Sequence, residues 1–334
     1  MKLVPILATA TLVAGSVGAS VPASAAGLTT FCDGTAAGVT IPGDLFVPAG
    51  RSCLLTDVTV TGDTEVSYGA DLVVTGGSFA GDVLVRNGAF LDLVGASMEG
   101  QVTNRGFGVF AEATHIGGTI TARAVNREIV PFTFLLDAHL VGGLDSRGAD
   151  AFIDGSEVGG AVAVVGGDAA DAYDSTLGGD LTVTGTGSSV VCESEVAGNA
   201  AFTGIRDGLQ LGAGTLADCA DALGTFWGGD VAVNDSTGGV EVSRNVVRGD
   251  LSGEGNDPAP VGGDNRVRGE VSGQFVDLAP AAEAAGAQTR STTAQLDASA
   301  GLEVSTDRKG QLTAEVQQRR IATVAEAQAA GPIM

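Results

Sequence analysis

The sequence predicts an all-β chain wound as a parallel β-solenoid. A glycine recurs at near-constant spacing, the residues between glycines alternate with strand periodicity, and no helical period separates one strand from the next. The glycines are Gly43, Gly62, Gly81, Gly100, Gly118, Gly142, Gly160, Gly179, Gly198, Gly229, Gly249 and Gly269, spaced 19, 19, 19, 18, 24, 18, 19, 19, 31, 20 and 20 residues apart. Twelve such repeats imply about 12 coils with a period near 19 residues over 43–278.

Each unit divides into three short strands. Two and four residues after the glycine stand apolar pairs such as Leu45/Val47, Val83/Val85 and Val231/Val233. A second pair follows at Leu72/Val74 and Leu91/Leu93, and a third strand ends two residues before the next glycine at Val60, Phe79, Met98 and Ile116. Glycine belongs at the corners, where the chain turns with unusual dihedrals. Four residues before the glycine the column reads Thr114, Ala138, Ser156, Ser175, Ser194, Thr225, Asn245, Asn265, side chains able to bond along the stack. At about 4.8 Å per strand the coils make a rod of roughly 58 Å. The inward spacing fits a strict left-handed hexapeptide helix poorly, so a right-handed wind is expected.

Composition sets the outer limits. Of 334 residues 52 are Gly and 44% are hydrophobic, which excludes a disordered acidic polymer. A net charge of −23 argues against nucleic acid or an anionic membrane surface as partner. No run of 18 apolar residues follows the N-terminus, so no membrane span is expected. Residues 1–25 read as a signal peptide: Lys2, an apolar run from Leu3 to Val13, and a cleavage site at Ala23-Ser24-Ala25. The expected locale is therefore secreted, extracellular or cell-wall associated.

The four cysteines fit an oxidising compartment. Cys32 and Cys53 are 21 residues apart, Cys192 and Cys219 are 27 apart, and sequence proximity favours these two disulfides. Residues 26–42 are expected as an N-terminal cap. Two coils carry insertions, at 122–137 and 204–226, and longer loops on a solenoid often mark a binding face. Residues 279–334 read as an Ala-rich linker and a possible short helix, Gln311–Ala330, with Leu312, Val316, Ile321 and Val324 on one side. Folded back, it is expected to cover the last coil at Val271, Phe275, Val276 and Leu278 and to keep the protein monomeric. Otherwise the coil ends would adhere end to end.

Several motifs carry a resemblance. Cys32 precedes Pro48-Ala49-Gly50-Arg51-Ser52-Cys53, the coils read Gly-Asp-Val or Gly-Asp-Leu, and Asn256-Asp257-Pro258-Ala259-Pro260 leads into Gly262-Gly263-Asp264-Asn265-Arg266-Val267. Over residues 32–278 the chain resembles a group of uncharacterised secreted parallel β-helix proteins of actinobacterial type. That resemblance implies an architecture and no activity. It also implies a cysteine pair bracketing the final block, where this chain has Gly253 and Phe275. More distantly the coils are similar to bactofilins, which are polymer-forming cytoskeletal β-helices.

Candidate chemistry is sparse. Asp44, Asp63 and Asp82 follow the glycine in adjacent coils, as do Asp230, Asp250 and Glu270, and would stack on the outer surface. Rows of oxygen ligands suit Ca²⁺, although a solvated acidic face that opposes aggregation is the plainer expectation. His115, His139 and Glu157 lie three residues before the glycine in successive coils, a weak candidate for Zn²⁺. No cofactor and no catalytic residue are expected. Lys and Arg form doublets only at Arg308-Lys309 and Arg319-Arg320, which counts against a groove for acidic sugars. The expected function is a secreted structural or interaction solenoid. The alternative is a carbohydrate-binding or carbohydrate-active β-helix, glycosidase- or lyase-like, acting on cell-envelope polysaccharide and marked by aromatic and acidic groups converging beside the insertions.

Overall fold

In the computed structural model of the protein, residues 27–126, 128–217, 219, 224–280 and 294–333 are described, with helical side chains from Arg308 onward. The expected signal peptide at 1–25 and residues 281–293 of the expected linker lie outside the described residues.

Three parallel sheets of twelve strands each form the solenoid. Sheet 1 runs from Thr29–Phe31 to Leu251–Ser252, sheet 2 from Gly34–Ala37 to Val261–Gly263, and sheet 3 from Thr40–Ile41 to Arg266–Val267. Every coil gives one strand to each sheet, so residues one period apart become neighbours. Leu45, Thr64, Val83, Val102, Ile120 and Leu144 form one such inward column. Of the segment 26–42 expected as a cap, the described residues 27–42 form the first coil, their strands pairing in register with those of the second.

The corners follow from backbone geometry. Where sheet 3 turns into sheet 1, successive glycines approach so closely that a Cβ on Gly62 would overlap Gly43. Where sheet 2 turns into sheet 3, the hydroxyl column bonds from coil to coil as expected. Ser156 N–H donates to Ser175 Oγ at 3.1 Å and Ser175 N–H to Ser194 Oγ at 3.1 Å. Further along, Asn245 N–H donates to Asn265 Oδ1 at 3.0 Å.

The tail departs from expectation in length and in place. Its helix spans Ala294–Ala330, 37 residues, and it does not cover the last coil. It lies along the outer face of sheet 2, its direction set by Arg308 on Asp150, Arg319 on Asp71 and Glu326 on Ser52. The chain then closes on the first coil: Gly331 O accepts from Thr35 N–H, and Ile333 N–H donates to Thr35 O at 2.9 Å. A helix rising about 5.4 Å per turn runs nearly in step with coils about 4.8 Å apart, so each turn meets roughly one new coil. The expected apolar side is half right, since Leu312 and Val316 are buried while Ile321 is 69% exposed.

The last coil is closed locally by the short 3₁₀ turn Gly273–Phe275, with Phe275 buried and Leu278 packed against the core. The phenyl ring of Phe275 lies against Gly253, where an added Cβ would come within 2.7 Å of the ring. These are the two positions at which the resemblance implies cysteines; an aromatic plug occupies the place.

Candidate functional site

The outer face of sheet 2 holds the densest chemistry on the rod. In a one-sided sheet these positions would be polar, yet its strands are apolar on both faces, as in Phe90-Leu91-Asp92-Leu93-Val94 and Phe132-Thr133-Phe134-Leu135-Leu136. Outward-facing Phe90, Phe110, Phe132, Phe134 and Phe152 form one cluster with Leu312 and Val316 of the helix. Gly108 makes room for it, since any Cβ there would overlap the Phe132 ring.

Acidic side chains are set among these rings, and four of them meet a cation from the helix. Arg320 forks onto Asp92 at 2.5 and 2.8 Å, and Arg308 Nε lies 3.0 Å from Asp150. Arg319 holds Asp71 at 2.6 Å and stacks over the rings of Phe107 and Phe90. Lys309 reaches Asp154 at 2.5 Å and sits over Tyr173, 4.5 Å from its centroid. Thus both basic doublets are spent on one face of the rod.

The Asp92 and Asp150 side chains are fully enclosed. Burial pushes the Asp92 carboxyl above the ordinary carboxylate range, against the opposing pull of Arg320. Burial does the same to Asp150, against two backbone N–H donors and Arg308. Arg320 is held in its charged form by the Asp92 contact.

The described residues of the insertion at 204–226 extend this cover. Cys192, on the outer face of sheet 2, is bridged to Cys219 as expected. Leu216 packs on Val190 and Cys192. Gln210 ties the loop down, donating to Ala217 O at 3.1 Å while accepting from Ala217 N–H at 2.8 Å. The other expected bridge, Cys32–Cys53, joins the first two coils.

The acidic ladder stacks as expected, and its carboxylates have a structural task. Asp44 Oδ1 accepts the backbone N–H of Asp63 at 2.9 Å, Asp63 that of Asp82 at 2.9 Å, and Asp82 that of Gln101 at 2.8 Å. Asp230 and Asp250 repeat the device toward Asp250 and Glu270. Each carboxylate carries hydrogen bonding across the corner between sheets 3 and 1.

The third candidate column also forms. His115 pairs with His139, and His139 with Glu157, on adjacent strands of sheet 3. The two Nδ1 atoms are 3.1 Å apart, and His139 Nε2 is 3.8 Å from Glu157 Oε2. Among the described residues no three His, Cys, Asp or Glu side chains gather as a metal-binding group. Among them, too, no helix is long and apolar enough to cross a membrane.

Sequence reasoning missed the strapped face, although two signals for it were present. The sheet 2 strands set Phe90, Phe110, Phe132, Phe134 and Phe152 at outward positions, and the two basic doublets stand eleven residues apart, about three helical turns. No protein family, curated protein or solved structure matches this chain.

Proposed function

We propose that the chain is a secreted structural or interaction solenoid without catalytic activity, working in the extracellular or cell-wall space. The observation that carries this reading is the commitment of its carboxylates. The ladder acids accept backbone N–H groups across the corners, and the sheet 2 acids are paired to the helix. Acid–base catalysis needs a carboxylate within reach of a substrate proton; the sheet 2 acids lie under the helix, and the ladder acids each give one oxygen to the backbone. Two disulfides suit an oxidising compartment.

The interaction we favour is end to end between copies. Exposed large apolar side chains stand at both ends of the rod, Leu28, Phe31 and Val39 at the first coil and Val271 and Val276 at the last, while others such as Tyr68, Val141 and Val165 are scattered singly along its length. The charge of −23 opposes side-by-side contact more than contact between tips. Light scattering across a concentration series tests this: association is expected, weakened in Phe31→Asp and in Val276→Asp. A monomer at every concentration rejects it.

A second reading, carbohydrate binding or cleavage at the cell surface, draws on one observation: aromatic rings and carboxylates do share a face, that of sheet 2. The helix covers that face, so the reading requires the helix to leave. Incubation with envelope polysaccharides, followed by assay for new reducing ends and unsaturated products, is expected to show no turnover.

A further inference from the structure

His115 and His139 are the only histidines in the chain, and the fold lays one beside the other. Their strands are locked by backbone hydrogen bonds, His115 N–H to Ala96 O at 3.0 Å and His139 N–H to Thr114 O at 2.9 Å. The imidazoles project from sheet 3, away from the helix, with ring centroids 4.9 Å apart and planes tilted by 55°. Neither ring serves the core: both residues are exposed.

We propose that this pair is a surface site for a borderline divalent cation of the Zn²⁺ type, with the imidazole nitrogens of His115 and His139 as the two protein ligands. Zn–N bonds of about 2.0–2.1 Å place two tetrahedral ligands about 3.3 Å apart. The Nδ1–Nδ1 separation is 3.1 Å, close to that bite before any cation enters. Little ordering remains to be done, because register fixes both Cα positions, and preorganisation lowers the cost of binding. Glu157 stands next in the column, its Oε2 3.8 Å from Nε2 of His139 and so on the far side of that ring from Nδ1, where it adds negative potential without being a ligand. Water completes the remaining positions.

Selectivity follows from donor chemistry. Imidazole suits Zn²⁺, whereas Ca²⁺ takes hard oxygen ligands. The oxygen-rich Asp44–Asp63–Asp82 ladder, whose carboxylates already accept backbone N–H groups, is not part of the site. The competing account of the 3.1 Å contact is an imidazole–imidazole hydrogen bond, one ring donating and the other accepting.

Zn²⁺ titration of the full chain, with disulfides intact, decides between them by calorimetry and by proton NMR of the imidazole C–H signals. One equivalent is expected to bind and to shift both histidines. His115→Ala and His139→Ala are each expected to weaken binding by about tenfold or more, roughly 1.4 kcal/mol per factor of ten. Glu157→Gln should cost less, and Asp82→Asn nothing. Both histidines are exposed, so circular dichroism and thermal midpoints of the variants should match the parent. The inference is overturned if the imidazole signals do not respond to Zn²⁺, if affinity survives either histidine substitution, or if Ca²⁺ competes on equal terms.

Discussion

Removing the Arg320 side chain leaves the fully enclosed Asp92 carboxylate without its paired cation and under the repulsion of Glu112 on the neighbouring strand. Breaking a buried ion pair by deleting one partner costs about 3–5 kcal/mol, because an uncompensated charge stays inside. Arg320→Met should therefore destabilise helix docking by about that amount, up to the point at which the helix leaves the face instead. Asp92→Leu alone strands the guanidinium in the same way, though Glu112 at 3.6 Å softens the loss. The double variant Asp92→Leu/Arg320→Met removes both charges and sets apolar atoms among Phe90, Phe110 and Phe134. Replacing a buried pair with packed apolar residues is typically neutral or stabilising by about 1–4 kcal/mol. A double-mutant cycle read by urea denaturation and by amide exchange over 308–330 should then give a coupling energy of several kcal/mol. If the two single losses simply add, the pair is not coupled and the helix is not seated through it.

Three further outcomes are expected. Thr64 is buried in the inward column between Leu45 and Val83, and its Oγ1 has no hydrogen-bond partner. Thr64→Val should raise stability by about 1–2 kcal/mol in urea denaturation, since an unpaired buried hydroxyl is lost at constant shape. Ala113 holds a left-handed φ of 48°, so Ala113→Gly should be neutral or stabilising by up to about 1 kcal/mol. The same change at inward-facing, buried Ala111 should destabilise. The last expectation concerns pH. Burial raises the Asp92 carboxyl in the folded protein, so its contribution is fully present below the unfolded value of about 3.9 and is lost as pH rises through the folded value. The parent should therefore lose stability relative to Asp92→Asn as pH rises above about 4, in thermal melts at constant ionic strength. A difference that grows in favour of the parent contradicts the direction.

Much of this protein is written locally. Strand pairing joins residues 18 to 20 positions apart in most coils, so a glycine, an apolar pair and a hydroxyl repeated at that interval already specify sheets, corners and inward columns. The disulfides followed for the same reason: Cys32 and Cys53 lie on adjoining coils, and Cys219 sits in the insertion that follows the coil of Cys192. Even the stacking of His115 on His139 could be read from register, though not the 3.1 Å approach of their nitrogens. What tertiary structure alone decided is where the tail goes. Its contacts join residues from 155 positions apart, Lys309 with Asp154, to 298 positions apart, Ile333 with Thr35. No repeat encodes such a match. It depends on a helix whose pitch runs nearly in step with the coils, on rings lined along one sheet, and on buried acids that leave the helix little choice of seat. Taken alone, Arg308-Lys309 and Arg319-Arg320 are merely charges on a polar tail. They gain their role only when the coils have stacked Asp150, Asp71 and Asp92 into a groove, because a charge-assisted contact in a buried site depends on geometry that exists only after the sheet has formed.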